Sequence, residues 1–458
     1  MGKKLTAALL LSSVFLTFQN CGDFQPQQAY TENRESFSVD PDLDPTISET
    51  YNWARTIMQR VAGVSLGPED PEMIEMMGHL QNQDAHSAIA VATRHDGYYN
   101  VTLREIAAPM SNREGNIAEP LNDFIATFVG LVRDDQNAKL MLVGDAYYKG
   151  SAADTNKQNV LNDMIRTNDH YQDLDNKGIN LQQSLVSEPI QQIITDDNQV
   201  IDMPDAAGLI TSRAFMQANA FKGSNRRLVE HSLKDFLCSP ITSWADINNP
   251  DDKVGQDVDR FPVGKNSIFQ STCKACHSAM DAYRPAFAHV DFDLDESNDQ
   301  FSFIKYKFNI QTDPHPTNPG ETVIVPFSQQ FIPSKFRRNK DVYPPGFLVT
   351  NDTWFNYNLG QNNIERFGWR SPAQGNGIKS FGELLSESKA FSRCMAKKVY
   401  KKVCRKDLDM VESPVIQELA EDFEQKNYSV RELTISTAMR SDCFGLDVSE
   451  IEYEEVNQ

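Results

Sequence analysis

Residues 273–277 read Cys-Lys-Ala-Cys-His, and no other stretch constrains the chain as sharply. Cys-x-x-Cys-His is the spacing at which a c-type haem is attached. The chemistry uses each residue. Two thiols add to the two vinyl groups of a porphyrin and form thioethers. One turn of helix holds both sulfurs toward the same porphyrin edge. His277 then offers a ring nitrogen to the iron as its proximal ligand. Competing chemistries for the same residues are a Cys273–Cys276 disulfide, a redox dithiol, or zinc held by Cys273, Cys276, His277 and His289.

The compartment follows from the N-terminus and the cysteine inventory. Lys3 and Lys4 precede a mostly apolar run from Leu5 to Phe18, which is too short to span a bilayer. Residues 1–20 are therefore expected to be a signal peptide. The run stops at Gln19-Asn20-Cys21, which resembles a bacterial lipoprotein signal with Cys21 as the acylated residue, although Gln19 and Asn20 stand where small residues are usual. The expected location is the cell envelope, with a lipid anchor at Cys21 as the contact with the membrane. No other segment is apolar enough to cross it. Of 7 cysteines, Cys21, Cys273 and Cys276 are assigned in this way. Cys238, Cys394, Cys404 and Cys443 remain, an even number that suggests two disulfides with three possible pairings. A formal charge of −20 argues against nucleic acid as a partner and against broad contact with anionic lipid.

The rest of the chain reads as mainly α. Residues 21–45, rich in Gln, Asp, Ser and Pro, are expected to be a flexible tether. An N-terminal helical domain is expected over 46–150. Its first helix opens at Asp44-Pro45, carries Ile47, Tyr51, Ala54, Met58 and Val61 on one stripe, and stops at Gly63. Further helices are expected from Pro71 to Leu80, from Asp84 to Thr93, from Leu103 to a stop at Pro109, from Pro120 onward, and near Ala138–Val143. Residues 151–204 read as a polar connector with short helices. Residues 205–300 hold the haem segment. The span 301–378 reads as a β-containing insertion in which Phe301–Phe308 and Thr322–Val325 form one small antiparallel sheet. A C-terminal helical domain follows over 379–448. It holds two helices broken near Ser386, another from Ser413-Pro414, and a last one behind the capping box Ser429-x-x-Glu432. The acidic end, 449–458, is expected to fray.

The motif continues through Asp281 to Phe287, Phe292 and Asp293. In this it resembles the haem segment of large bacterial envelope proteins with cytochrome c-like motifs, known mainly as domains of unknown function. Their pattern places an Asp four residues after the His, then Gly-Phe-Ala and Phe-Asp. Here two extra residues separate Asp281 from Phe287, and Ala286 replaces the glycine. Asp205 to Ala214, Ala390 to Cys394 and Ser441 to Phe444 resemble further landmarks of that family. Trp53 to Val64 and Leu121 to Asp145 resemble its N-terminal helical domain. The resemblance implies a mostly helical fold and one haem domain, and says little about substrate.

Candidates for the sixth iron ligand are Met395, if the C-terminal helices pack on the haem, and His315 in a loop; a vacant position is the third possibility. Tyr283, Phe287 and Phe292 are expected to cover the ring with apolar surface, and Asp281 to cap a helix or bond within its turn. There is no Gly-rich phosphate loop, no Gly-x-Ser-x-Gly elbow and no His-Glu-x-x-His helix. The leading expectation is one-electron transfer with an unidentified redox partner. The alternatives are a haem-dependent oxidoreductase with an open distal site and a non-haem surface module.

Overall fold

Helix starts were the clearest local signals, and the computed structural model bears most of them out. It describes residues 45–151, 164–195, 197–221, 224–255, 257–295, 298–307, 312–314, 322–324, 346–347 and 349–445. The expected signal peptide, Cys21, the expected tether up to residue 44, His315 and the acidic end all lie outside these residues. The chain divides into two units, Met1–Glu49 and Thr50–Gln458, and the packing below belongs to the second.

The described residues are mainly helical. Pro45–Ile57 is α-helical, Met58–Ala62 continues it as a π-turn, and Gly63 ends it at φ 74°. Pro71–Gln81 and Ala85–Arg94 follow, the second capped by the Asp84 side chain, which accepts from the Ser87 amide. Ser388, Ser413 and Ser429 each cap the helix behind them, at Lys389–Cys404, Pro414–Gln425 and Val430–Ala438. Each such cap is worth about 1 kcal/mol over an alanine.

Two boundaries differ from expectation. Pro109 does not end its helix. The α-turns Arg104–Ser111 run through it behind a π-helical stretch Tyr98–Leu103, because a proline in the last turn forfeits only one ladder bond. Pro120 does not open the next helix either. Asp123–Arg133 starts after Asn122, whose side chain accepts from the Ile125 amide.

The larger difference is in the strands. Residues 151–204 contribute more than short helices. Leu185–Glu188 pairs with Tyr147–Gly150, and Gln192–Thr195 joins Val200–Asp202. Gln192–Thr195 also pairs in parallel with Asn298–Tyr306, which pairs antiparallel with Val290–Asp295. The result is a four-stranded mixed sheet built across a long sequence gap. Thr322–Ile324 does not join it and pairs instead with Thr312–Pro314. The single antiparallel sheet expected in the insertion is thus two sheets.

Helices from both ends of the chain share one apolar core with the middle. Polar pins cross it. Tyr98 and Thr434 share a buried hydrogen bond of 2.8 Å, and the Arg431 guanidinium donates to the Arg133 carbonyl at 2.8 Å. The Asp123 carboxylate accepts from the amides of Arg213 and Ala214, and the Asp205 carboxylate from those of Ile378 and Lys379, so each caps a helix distant in sequence.

Four cysteines pair as Cys238–Cys394 and Cys404–Cys443, across 156 and 39 residues. A crosslink that closes a longer loop restricts the unfolded chain more. Replacing Cys238 and Cys394 with alanine is expected to cost about 3–5 kcal/mol, and replacing Cys404 and Cys443 about 2–4 kcal/mol. Urea unfolding of the two double variants, followed by circular dichroism, checks both the loss and its order.

Candidate functional site

A single bent helix carries the motif. Asn266–Ile268 is α-helical, Phe269–Cys273 is a π-turn, and Lys274–Asp281 returns to α. The Lys274 amide donates to the Phe269 carbonyl, the bond that defines the wider turn. Such turns inside helices recur at functional sites. Along the α-helical part, side chains three and four apart share a face. Cys273, Cys276 and His277 therefore lie on one stripe, and Asp281 extends it a turn beyond His277.

Of the six cysteines in the described residues, four are in disulfides, and Cys273 and Cys276 are free. They are not bonded to each other. Each lies against a different apolar group. Cys276 packs on the main core, and Cys273 on a small cluster of Val254, Val258 and Phe269. Burial pushes the Cys276 thiol up, and the nearby Glu230 carboxylate and Cys273 add to the shift.

Burial changes sharply along the helix. Cys273 to His277 are partly exposed, whereas Ser278 to Asp281 are buried. The exposed side continues into the preceding loop, where Phe261 is 53% and Val263 is 90% exposed. Val263 holds φ 54°, a conformation that a β-branched residue rarely adopts and one associated with functional segments.

The buried end is ionic. The Asp281 side chain is fully enclosed. Its Oδ1 accepts from Arg226 Nε at 2.6 Å, and its Oδ2 from Arg226 Nη2 at 2.7 Å and from the Gly255 amide at 2.9 Å. Arg226 also grips Asp257, at 2.6 and 2.9 Å. Arg284, itself buried, donates to Asp257 at 3.1 Å and to the Ser224 carbonyl at 2.8 Å, and its Nη1 lies 3.4 Å from Asp281 Oδ2. Two cations and two anions cancel. Burial alone would raise both carboxyls, but Arg226 and Arg284 outweigh it and hold Asp281 well below the usual carboxylate range and Asp257 below it as well. A Cβ at Gly255 would sit 2.3 Å from Asp257 Oδ1 and 2.5 Å from Arg284 Nη1, so a side chain there would displace both groups of the network.

His277 stands at the border. Its Nδ1 is buried and has no hydrogen-bond partner, and Asp281 Oδ2 lies 3.7 Å away. Asp281 therefore does not simply cap or bond within its own turn; it is the centre of a network drawn from other elements.

The donor set fits a haem c. Two reduced thiols stand one turn apart, and the adjacent imidazole has one nitrogen directed into the protein, which leaves the opposite nitrogen for a metal. The aromatic residues expected to cover the ring are engaged elsewhere. Tyr283 and Phe287 pack on Phe381, Tyr283 also meets Trp354, and Phe292 meets Phe221. Met395 is fully buried in the main core on the helix Lys389–Cys404. His289 stacks on Tyr306 and its Nδ1 lies 2.7 Å from the Lys307 carbonyl. Among the described residues no three His, Cys, Asp or Glu side chains converge as a metal-binding group, so the zinc alternative gains no set of ligands. Sequence reasoning missed Arg226, Gly255 and Asp257. Arg284, three residues after Asp281 on a turn continuing the helix, was within reach of it.

Comparison of the chain with protein-family models, with curated proteins and with solved structures finds no match.

Removing one member of a buried ion network strands the others. Arg226→Met is expected to lower stability by about 3–5 kcal/mol at neutral pH, measured by urea unfolding. Asp281 and Asp257 have folded-state pKa values below those of the unfolded chain. Their contribution is therefore present above about pH 4 and is lost as the pH falls through the folded values. An acid titration followed by circular dichroism should show wild type losing stability only below about pH 4. Arg226→Met should begin from a lower plateau.

Proposed function

We propose that this chain is an exported, lipid-anchored c-type cytochrome-like protein that carries one covalent haem c and serves one-electron transfer at the cell envelope. On this reading residues 205–300 form the haem segment, a β-containing insertion follows it, and helical domains flank both. The observation that carries the reading is the state of the cysteines. In a chain whose other described cysteines are paired, the two that remain reduced stand one turn apart beside an exposed-edge histidine.

The chain's own residues do the following. Cys273 and Cys276 would hold the haem through two thioethers, each formed by adding S–H across a vinyl group, with sulfur on the carbon next to the ring, hydrogen on the terminal carbon and nothing leaving. The addition would exchange no electrons, so it requires thiols rather than a disulfide. His277 presents the nitrogen opposite Nδ1. Phe261 and Val263 offer exposed apolar surface next to the motif helix. A bound haem supplies a one-electron iron couple whose potential depends on ligand, hydrogen bonding and exposure.

A second reading, a haem-dependent oxidoreductase with an open sixth position, draws on the placement of Met395 inside the core, where its side chain serves packing. Carbon monoxide binding to the reduced protein separates the two readings: a low-spin form that does not bind it favours electron transfer.

Expression with haem-attachment machinery, followed by a pyridine haemochrome spectrum, tests the proposal. Wild type is expected to show the band position of two thioethers, and Cys276→Ala that of one. The double variant Cys273→Ala, Cys276→Ala is expected to be colourless. A colourless wild type whose two thiols remain open to alkylation would overturn the reading.

A further inference from the structure

We infer that Asp281 is the positioning partner of His277: its fixed carboxylate accepts a hydrogen bond from Nδ1–H, which leaves Nε2 as the nitrogen offered to iron and biases the couple toward the ferric state. The inference rests on the haem reading above and deepens it.

Three observations carry it. Nδ1 is buried and lacks a hydrogen-bond partner, whereas 26% of the His277 side chain is exposed, so the exposed part lies away from Nδ1. A partner for an Nδ1–H must be an acceptor, and the Asp281 carboxylate stands 3.7 Å away on the same helix face. A contraction of under ~1 Å brings that pair into hydrogen-bond range. Finally, the carboxylate has room. An ionised carboxylate offers about four acceptor sites. Arg226 and the Gly255 amide fill three of them at 2.6, 2.7 and 2.9 Å. Arg284 is already bonded to Asp257 and the Ser224 carbonyl. The unfilled site is on Oδ1, which accepts only from Arg226 Nε, so the contraction that forms the bond turns Nδ1 from Oδ2 toward Oδ1.

The arginines also settle where the proton stays. Paired with two guanidiniums, Asp281 remains an anion and does not take the proton from the ring, so His277 keeps the tautomer with hydrogen on Nδ1. Metal-bound histidines generally make such a second bond, and it raises their basicity as ligands. A stronger donor favours the ferric state and lowers the potential. Because Arg226 and Arg284 balance the charge, the effect is moderate, on the order of tenfold in the ferric–ferrous equilibrium, which for one electron is ~59 mV.

The test uses the full-length protein with haem attached. Asp281→Asn is expected to retain the two-thioether haemochrome spectrum and to raise the midpoint potential by about that amount, while Asp281→Glu restores most of it. An unchanged potential in a folded, haem-bearing Asp281→Asn protein would overturn the inference. Should that variant not fold, wild type decides. With ¹⁵N-labelled histidine, the Nδ1–H of His277 in the reduced protein is expected to exchange slowly and to show a hydrogen-bonded shift. A freely exchanging Nδ1–H overturns the inference and leaves the haem reading intact. A wild type without haem overturns the haem reading instead.

Discussion

The Asp281 carboxylate between Arg226 and Arg284 fixes the position of everything around the motif. Arg226 opens the helix Arg226–Phe236, Asp281 ends the helix Lys274–Asp281, Arg284 begins the turn Arg284–Phe287, and Gly255 with Asp257 belong to the loop before the motif. One enclosed network therefore joins four segments. Its net energetic value is modest, because desolvating four charges costs several kcal/mol each and the pairing has to offset that. Its geometric consequence is larger. A buried charge tolerates very few arrangements of its partners, so the helix that carries the motif is held in one register against its neighbours.

That register sets the environment of each sulfur. Glu230 lies one helical turn after Arg226, and it is this residue whose charge reaches Cys276. The two helices therefore run side by side, with Arg226 meeting Asp281 at one end and Glu230 near Cys276 further along. Cys276 falls on the main core and Cys273 on the satellite cluster around Phe269, so the two thiols are supported from different sides. The disulfide Cys238–Cys394 joins the segment after Arg226–Phe236 to the C-terminal helices. It fixes the far end of the same helix that Arg226 anchors.

How much of this was legible in the sequence depended on range. Caps are local, and Asp84, Ser413 and Ser429 could be found because the donor and acceptor lie three residues apart. The strand Gln192–Thr195 could not. It has four residues in a polar stretch, and its stability comes from pairing with Asn298–Tyr306, about a hundred positions on. Nothing in its own composition signals that pairing. Two short segments, Phe301–Phe308 and Thr322–Val325, were alike enough in pattern to suggest one sheet, yet pair with different partners, because alternation marks a strand without naming its neighbour. The site divides in the same way. The motif and the Asp281 spacing are sequence-local, whereas Arg226, Gly255 and Asp257 reach Asp281 only through the fold.

What distinguishes His277 from an ordinary half-buried histidine is the asymmetry of its two edges. The Nδ1 edge faces an enclosed network whose charges already cancel. The network offers it an acceptor and nothing else. The rest of the side chain is partly exposed. A core histidine would have both nitrogens satisfied, and a surface histidine would have both in water. On the proposed haem reading, a ring with one nitrogen directed at a pinned carboxylate would serve as the iron ligand, and the two free thiols beside it would fasten the porphyrin.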